Sequence, residues 1–230
     1  MHGGEVQQGR LQVPSLGEQD LHLWRASLLL PEDALGTLQS WLTPEEQSRG
    51  ARYATSLLRK RFVAARGQLR WMLGRYLGCP PESIHLLTLP GGKPVLQDHP
   101  HLHFNVSHSA DELLIGVARS PIGVDIEHIN RHFNPREVLQ FFSAAEQKHI
   151  LTGPLEHFYW CWTRKEACLK ASGQGITVSL QDMDTLQATL QGWMLRTFIT
   201  GEVVYSVAVQ QALQVSLFQL TSDLRFSPFK

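Results

Sequence analysis

The sequence has few cysteines, no excess charge of either sign and no long apolar run. Only 3 cysteines occur in 230 residues, at scattered positions, which disfavours a disulfide framework or a structural zinc site and favours a reducing cytoplasm. Lys and Arg number 21, as do Asp and Glu, so an overall basic field for nucleic acid is not supported. No segment predicts a membrane span or a secretory signal. We therefore expect a cytoplasmic protein that binds neither nucleic acid nor membrane.

The composition is otherwise that of a globular chain with a substantial core. Hydrophobic residues make up 43% of the sequence and the mean hydropathy is -0.16, both ordinary values for a folded domain. The length fits one large domain or two small halves. Residues 1–20 are polar and rich in Gly and Gln, and we interpret them as a loose leader.

Two acids alternate with two aliphatic residues in the segment Gly-Val-Asp-Ile-Glu at residues 123–127. Because side chains alternate between the faces of a strand, Asp125 and Glu127 point to one side together. Neighbouring carboxylates repel unless a cation lies between them, and a hard divalent metal prefers such oxygen ligands. A solvated outer face of a half-buried strand is the alternative interpretation.

Periodicity and capping signals predict a mixed order of helices and strands. Strands are predicted over residues 21–26, 84–89, 101–108, 113–118, 123–127, 194–200, 203–209 and 215–220, and helices over 31–41, from 44, 56–77, 136–142, 144–151 and 156–172. Capping boxes pair Thr43 with Glu46 and Ser143 with Glu146. The turn at residues 120–121 predicts a hairpin between the strands 113–118 and 123–127, which would bring residues 105–108 near the acid pair.

Other chemistry-bearing patterns are weaker when taken alone. Alternating histidines at 99, 101 and 103 fit a transition-metal site, but no cysteine or carboxylate joins them. Ser107 and His108 are adjacent on a strand and so point to opposite faces, which argues against a nucleophile–base pair. Glu166 and Lys170 share one helix face, where a surface ion pair is the simplest interpretation. We find no enzyme nucleophile.

Five motifs in this order resemble the 4'-phosphopantetheinyl transferases of the Sfp type. They are Gly-Lys-Pro at 92–94, Phe-Asn-Val-Ser-His-Ser at 104–109, Gly-Val-Asp-Ile-Glu at 123–127, Phe-Ser-Ala-Ala-Glu at 142–146 and Trp-Thr-Arg-Lys-Glu-Ala-Cys-Leu-Lys at 162–170. The resemblance extends from about residue 43 to residue 175. It implies an α+β fold of two similar halves related by a pseudo-twofold, each a small antiparallel sheet packed with a long helix. The halves would span residues 21–118 and 119–230, and a single chain would build the whole cleft as a monomer.

The resemblance also implies an activity. The family transfers the phosphopantetheine arm of coenzyme A to a serine hydroxyl of an apo acyl, peptidyl or aryl carrier protein, with Mg²⁺, for which Mn²⁺ is an alternative, and adenosine 3',5'-bisphosphate leaves. The carrier serine supplies the nucleophile, which agrees with the absence of one in this chain.

Site residues are carried over from the matching motif positions. The implied metal ligands are Asp125, Glu127 and Glu166, the implied base is Glu146 with Glu166 as its rival, and the implied charge stabilisers are Lys165 and Lys170. Glu146 is equally well explained as a helix cap. The positions that match nucleotide and phosphate contacts are Lys93, Ser107, His108, Arg49, Arg52 and Arg61.

Two further expectations concern the ligand and the partner. Glu46 stands where some members carry a lysine, so the phosphate contacts of the first half are expected to differ. Residues 133–142 lie where the family docks its carrier, with Arg131 and Arg136 supplying charge, and a core helix is the alternative.

Two other functions use the same residues. One is a different Mg²⁺ enzyme, a phosphohydrolase or nuclease, although the neutral charge of the chain disfavours a nuclease. The other is a non-catalytic protein that binds coenzyme A or a nucleotide, which would not need Glu166 and Lys170 in addition to the acid pair.

Overall fold

The computed structural model describes residues 13–173 and 179–228 of the chain. Its α-helices are α1 (Glu32–Ser40), α2 (Pro44–Ala51), α3 (Ser56–Leu77), α4 (Ala144–Thr152) and α5 (Glu156–Ser172). Its strands are β1 (Asp20–Ser27), β2 (Leu86–Thr88), β3 (Pro94–Leu96), β4 (His103–Ser109), β5 (Glu112–Ala118), β6 (Ile122–His128), β7 (Thr189–Leu190), β8 (Trp193–Thr200), β9 (Val203–Val209), β10 (Gln214–Leu220) and β11 (Phe226–Pro228). The first twelve residues of the predicted leader lie outside the described residues.

Local signals place the helix ends as predicted. The Thr43 and Ser143 hydroxyls accept the backbone N–H groups of Glu46 and Glu146, and both glutamates return a bond to the cap residue, so both capping boxes are confirmed. The long helix α3 ends at Gly78, whose φ of 69° is the left-handed conformation that glycine adopts without strain.

Two larger sheets organise the chain, each packed with one long helix. The first has the strand order β11-β10-β1-β5-β4 and the second the order β6-β9-β8-β7. The pair β1–β10 is parallel, and the other pairs in these two sheets are antiparallel. Apolar residues of α3, such as Leu69 and Met72, pack with Trp24 of the first sheet. Helix α5 packs on β6, β8 and β9. The α+β fold class is confirmed.

The last strands of the chain return to the first sheet. Strand β10 pairs with β1 over seven positions, from Asp20 with Gln214 to Ala26 with Leu220, and β11 pairs with β10. The predicted division at residue 118 therefore does not describe β10 and β11, which lie with the N-terminal strands. The reason is that β5 covers only one edge of β1, which leaves the other edge for a parallel partner.

Two local predictions were wrong. Strands β5 and β6 form no hairpin: β5 pairs with β1 and β4, whereas β6 pairs with β9, so the chain leaves one sheet and enters the other between residues 118 and 122. Both edges of β5 are occupied, which leaves no place for β6. The helix predicted over 136–142 is a 3-10 helix, Pro135–Phe141, that begins at the Asn134 cap.

Candidate active site

The acid pair lies on β6, the edge strand of the second sheet. Asp125 is only 3% exposed, and Glu127 is half-buried. Burial raises the pKa of Asp125, against the opposing effects of the Lys170 ammonium and the Ser107 hydroxyl. Burial also raises the pKa of Glu127, and the charge of Asp125 raises it further. The strand thus presents two partly desolvated carboxylates whose charges disfavour each other.

Strand β4 meets the acid pair with a row of alternating polar side chains. The Ser107 hydroxyl donates to Asp125 Oδ1 at 2.7 Å, and the Ser109 hydroxyl donates to Glu127 Oε2 at 2.6 Å. Asn105 Oδ1 accepts the backbone N–H of Val124 at 2.8 Å. Residues 105–108 therefore lie near the acid pair, as expected. The contact is made by side chains that link the edges of two sheets, and not by a hairpin.

Helix α5 adds a third acid and a cation. Lys170 Nζ donates to Asp125 Oδ1 at 2.5 Å and to Ser107 Oγ at 2.8 Å. Glu166, one turn earlier, is half-buried. Burial raises the pKa of Glu166, as do the charges of Asp125 and then Glu127, while Lys170 lowers it. The three acids are therefore electrostatic neighbours, with one ammonium among them.

The donor set fits a hard divalent cation. Asp125 Oδ2 is buried and has no hydrogen-bond partner among the described residues, so one oxygen is free to bind a metal. The three acids offer only oxygen ligands, and a dication would offset the repulsion that raises their pKa values. Within residues 13–173 and 179–228, however, no group of three His, Cys, Asp or Glu side chains is already arranged to hold a metal ion.

Lys93 links the two sheets. Its Nζ donates to the carbonyl oxygens of Ile122 and Ala171, both at 2.9 Å. Burial lowers the pKa of Lys93 to about 8. The predicted nucleotide contact thus lies at the junction of β6 and α5, where its ammonium already has two backbone acceptors.

His108 and Arg61 interact electrostatically with each other, and His108 also interacts with Asp125 and Lys170. His108 reaches the surface, yet partial desolvation of its ring, and then the Lys170 cation, lower its pKa. Arg61 binds Asp111 Oδ1 through Nε at 2.8 Å. It is absent from the lining of the arginine-rich cleft described next, so the structure does not group all three arginines that were predicted to contact phosphate.

A cleft of about 480 Å³ between α2, α3 and the β2–β3 hairpin holds the other two arginines. Arg49 and Arg52 line it together with Arg66 and Arg70. Glu46 pairs with Arg70 Nε at 2.7 Å and with Arg66 Nε at 3.4 Å. Glu46 is therefore shared by two arginines, and Arg49 and Arg52 are the exposed cationic groups of the cleft.

Glu146 and Lys165 lie in the interior. Both side chains are 0% exposed, and Lys165 Nζ lies 2.7 Å from Glu146 Oε2. Glu146 also accepts the backbone N–H groups of Ser143 and Thr185, and Lys165 donates to the carbonyl oxygens of Leu180 and Met183. Both groups are fully buried and already paired, so this placement does not favour the predicted proton acceptor at Glu146 or the predicted phosphate contact at Lys165.

The segment predicted to dock a carrier is divided between core and surface. Phe142 is 1% exposed, whereas Phe141 is 43% exposed. Arg131 pairs with Glu156 and Glu202, so its charge is balanced within the chain. Arg136 is exposed.

Sequence reasoning missed Ser109 and Trp162, whose hydrogen bonds to Glu127 lower its pKa against burial. Ser109 continues the polar alternation of Asn105 and Ser107 on β4, and Trp162 precedes Glu166 by one helical turn. Both patterns are visible in the sequence, but the contacts of Ser109 and Trp162 with Glu127 form only because β4, β6 and α5 pack together.

Comparison with known proteins places the chain in one family. A family model described as the 4'-phosphopantetheinyl transferase superfamily matches residues 121–216, and one described as 4'-phosphopantetheinyl transferase, N-terminal, matches residues 30–120. No helix among the described residues is long and apolar enough to cross a membrane.

Individual relatives agree with the family models. The 4'-phosphopantetheinyl transferase HetI of Nostoc sp. is 38% identical over 172 residues, which cover 70% of this chain and 72% of the relative. The 4'-phosphopantetheinyl transferase psf-1 of Bacillus pumilus is 31% identical over 62% of this chain and 63% of its own length. The 4'-phosphopantetheinyl transferase Sfp of Bacillus subtilis is 28% identical over 61% and 64%. The last two matches thus span slightly less than two thirds of those relatives. The chain belongs to the 4'-phosphopantetheinyl transferase superfamily and is an enzyme of its Sfp-like type.

Proposed function

We propose that this protein transfers the 4'-phosphopantetheine arm of coenzyme A to a serine hydroxyl of an apo acyl or peptidyl carrier protein in a Mg²⁺-dependent reaction. The serine oxygen forms a bond to the phosphorus that carries the pantetheine arm. The bond from that phosphorus to the bridging oxygen breaks, adenosine 3',5'-bisphosphate leaves and the serine proton is released. The observation that carries the proposal is the cluster of Asp125, Glu127, Glu166 and Lys170 at the junction of the two sheets.

The metal would be held by Asp125, Glu127 and Glu166, for which the buried free oxygen of Asp125 is the clearest support. When bound, Mg²⁺ supplies positive charge that offsets the negative charge developing on the diphosphate as its bond breaks. Mn²⁺ accepts the same oxygen ligands.

Lys170 is the cation placed to act on the substrate. Its ammonium is held by Asp125 and Ser107, so its position is defined before a ligand arrives. A pre-positioned ammonium stabilises developing phosphate charge without further reorganisation. His108, with its lowered pKa, contributes a neutral imidazole at pH 7 beside it. Ser107 and Lys93 complete the contacts that we assign to the coenzyme.

The two exposed groups of the arginine-rich cleft, Arg49 and Arg52, are assigned to the anionic end of the coenzyme. Arg66 and Arg70 already share Glu46, so one negative charge is divided between two cations, and they offer less free charge than Arg49 and Arg52 do. Arg61 stays bound to Asp111 and is assigned a supporting role near His108.

The proton of the carrier serine requires an acceptor, and we assign it to Glu166. Glu166 can serve as the base if its bond to the metal is loose, because one carboxylate oxygen is then free to accept the proton. It is also half-exposed, unlike Glu146. The carrier would approach the surface that bears Phe141 and Arg136, where an apolar group and a cation suit an acidic partner.

Mass spectrometry of an apo-carrier tests the proposal. After incubation with the protein, coenzyme A and Mg²⁺, the carrier should gain one phosphopantetheine arm, and reactions without coenzyme A or metal should leave it unchanged. A panel of fatty-acid, polyketide and nonribosomal-peptide carriers, compared by kcat/KM, identifies the preferred partner. Release of phosphate without carrier modification would indicate a phosphohydrolase, and binding without any product a nucleotide-binding protein.

A further inference from the structure

The outer edge of β6 is covered by side chains of β4 instead of by a neighbouring strand. β4 is the last strand of one sheet and β6 is the first of the other. Asn105 accepts the N–H of Val124 at 2.8 Å, and Ser109 accepts the N–H of His128 at 3.1 Å. Unpaired N–H groups on an edge strand need such partners when they are buried. Ser109 is therefore tied to the backbone of β6.

The Ser109 hydroxyl has a second bond that reaches the active site. A hydroxyl has one proton to donate, and Ser109 donates it to Glu127 Oε2 at 2.6 Å. Because the same oxygen accepts the N–H of His128, the donor direction is set by the backbone of β6. The carboxylate of Glu127 is thus held by a group whose own orientation is fixed.

The two acids of β6 are held by different kinds of group. Asp125 has a cation, Lys170, in addition to the Ser107 hydroxyl. Glu127 forms no salt bridge within the described part of the chain, and its side-chain donors there are the neutral groups of Ser109 and Trp162. Its orientation therefore depends on these two neutral donors, without the ion pair that Asp125 has.

We propose that Ser109 is the positioning residue that limits the orientations of the Glu127 carboxylate on the face of β6 that carries Asp125, so that less rearrangement is needed when a divalent cation binds. The inference rests on the proposed function, because it assumes that Asp125 and Glu127 are metal ligands. Groups that orient metal ligands typically change metal affinity about 10–100-fold when they are removed. Without this hydroxyl, Glu127 would keep the Trp162 donor but lose the Ser109 bond, and because it is half-buried it would have room to turn towards solvent.

Titration of the metal-free protein with Mn²⁺, followed by the electron paramagnetic resonance signal of the free ion, tests this directly. Ser109→Ala should weaken Mn²⁺ binding about tenfold or more, whereas Ser109→Thr, which keeps the hydroxyl, should bind as the wild type does. In the transfer assay, Ser109→Ala should raise the Mn²⁺ concentration needed for half-maximal rate while most of kcat returns at saturating metal. Thermal unfolding by circular dichroism checks that both variants fold.

Asp125→Asn separates failure of this inference from failure of the metal site. If Ser109→Ala binds Mn²⁺ as tightly as the wild type while Asp125→Asn does not bind it, Ser109 has no positioning role although the metal site stands. If Asp125→Asn also binds normally, the metal site is elsewhere and both proposals fall. If Ser109→Ala does not fold, Ser109→Cys replaces it, because cysteine is similar in size and a weaker hydrogen-bond donor. Weaker Mn²⁺ binding by Ser109→Cys is then expected, and unchanged binding would overturn the inference.

Discussion

Asp125 is 3% exposed, and it has two carboxylates as electrostatic neighbours and one ammonium in contact. Burial of an ionised carboxylate lowers the free energy of unfolding unless ion pairs and hydrogen bonds offset the lost hydration. Here Lys170 and Ser107 offset part of it, and one oxygen has no partner among the described residues. Such a residue is better explained by function than by stability.

Replacing Asp125 with asparagine separates these two roles. We expect kcat/KM for transfer to fall about 10²–10³-fold, the loss typical when one charge-stabilising group is removed. The thermal midpoint should not fall, because the variant removes a buried charge whose raised pKa reports an unfavourable environment. Near-normal conversion of apo-carrier would contradict the metal assignment. The two measurements are transfer kinetics and a melting curve.

The Glu146–Lys165 pair behaves in the opposite way, because it is fully buried and fully engaged. Glu146→Gln leaves Lys165 without its counterion, and breaking a buried pair in this way typically lowers the free energy of unfolding by about 3–5 kcal/mol. Urea unfolding of the variant measures this loss. A double variant, Glu146→Leu with Lys165→Met, should recover part of the stability because it leaves no buried charge alone, although the N–H groups of Ser143 and Thr185 lose their acceptor.

The same variants decide between the two roles predicted for Glu146. If Glu146 is a helix cap and interior anchor, Glu146→Gln should lower the stability, while transfer activity per folded molecule stays within about tenfold of wild type. Loss of a general base would instead lower the activity about 10²–10⁴-fold. A Glu146→Gln protein of normal stability that has lost transfer would instead restore Glu146 as the base.

At the level of elements, the site depends on how closely β6 approaches α5. A Cβ atom at Gly123 would lie 2.0 Å from the carbonyl oxygen of Ala167 and 2.4 Å from the nitrogen of Ala171. Both are backbone atoms of a helix, so neither can move alone. Only glycine therefore allows the strand that carries Asp125 to pack against the helix that carries Lys170.

Gly123→Ala should force these two elements apart. We expect the free energy of unfolding to fall by about 1–3 kcal/mol, the usual cost of overpacking, together with a loss of transfer activity because Asp125 and Lys170 separate. Gly36→Ala is the matched control: its Cβ has open space in the middle of α1, so it should raise stability by about 1 kcal/mol. Urea unfolding measures both. Equal effects of the two substitutions would refute the close-packing argument.

At the level of the whole molecule, the two sheets are connected by strand pairing and side-chain contacts in addition to the chain segment between β5 and β6. β10 comes from the C-terminal region yet pairs with β1, and Lys93 of the first half binds carbonyl oxygens of β6 and α5. The halves are therefore not separate folding units, although each has its own long helix.

A fragment that spans residues 13–119 should not fold alone. It would lack β10, which covers one edge of β1 over seven positions, and would expose the buried side chains that face the second sheet. We expect no cooperative transition for the fragment in calorimetry, whereas the full chain should unfold in a single transition. Two separable transitions of the full chain would show that the halves are independent.

The sequence alone predicted much of this site. The period-two alternation around Asp125 and Glu127 places both on one face of a strand, and the four-residue spacing of Glu166 and Lys170 places both on one face of a helix. The capping boxes at Thr43 and Ser143 are equally local, since each depends on residues three positions apart. These predictions succeed because the physical constraint acts within one turn or one strand.

The tertiary structure decided what no local pattern specifies. In the folded chain β6 pairs with β9 and not with β5, β10 lies in the first sheet, Lys165 is buried against Glu146, and the Ser109 hydroxyl donates to Glu127. Each of these outcomes depends on groups far apart in the chain, whose pairing is set by shared burial and by the need to satisfy every buried hydrogen-bonding group. The residues and their order thus determined the chemistry available to this protein, and long-range packing determined which of those groups lie together in the candidate site and which lie in the interior.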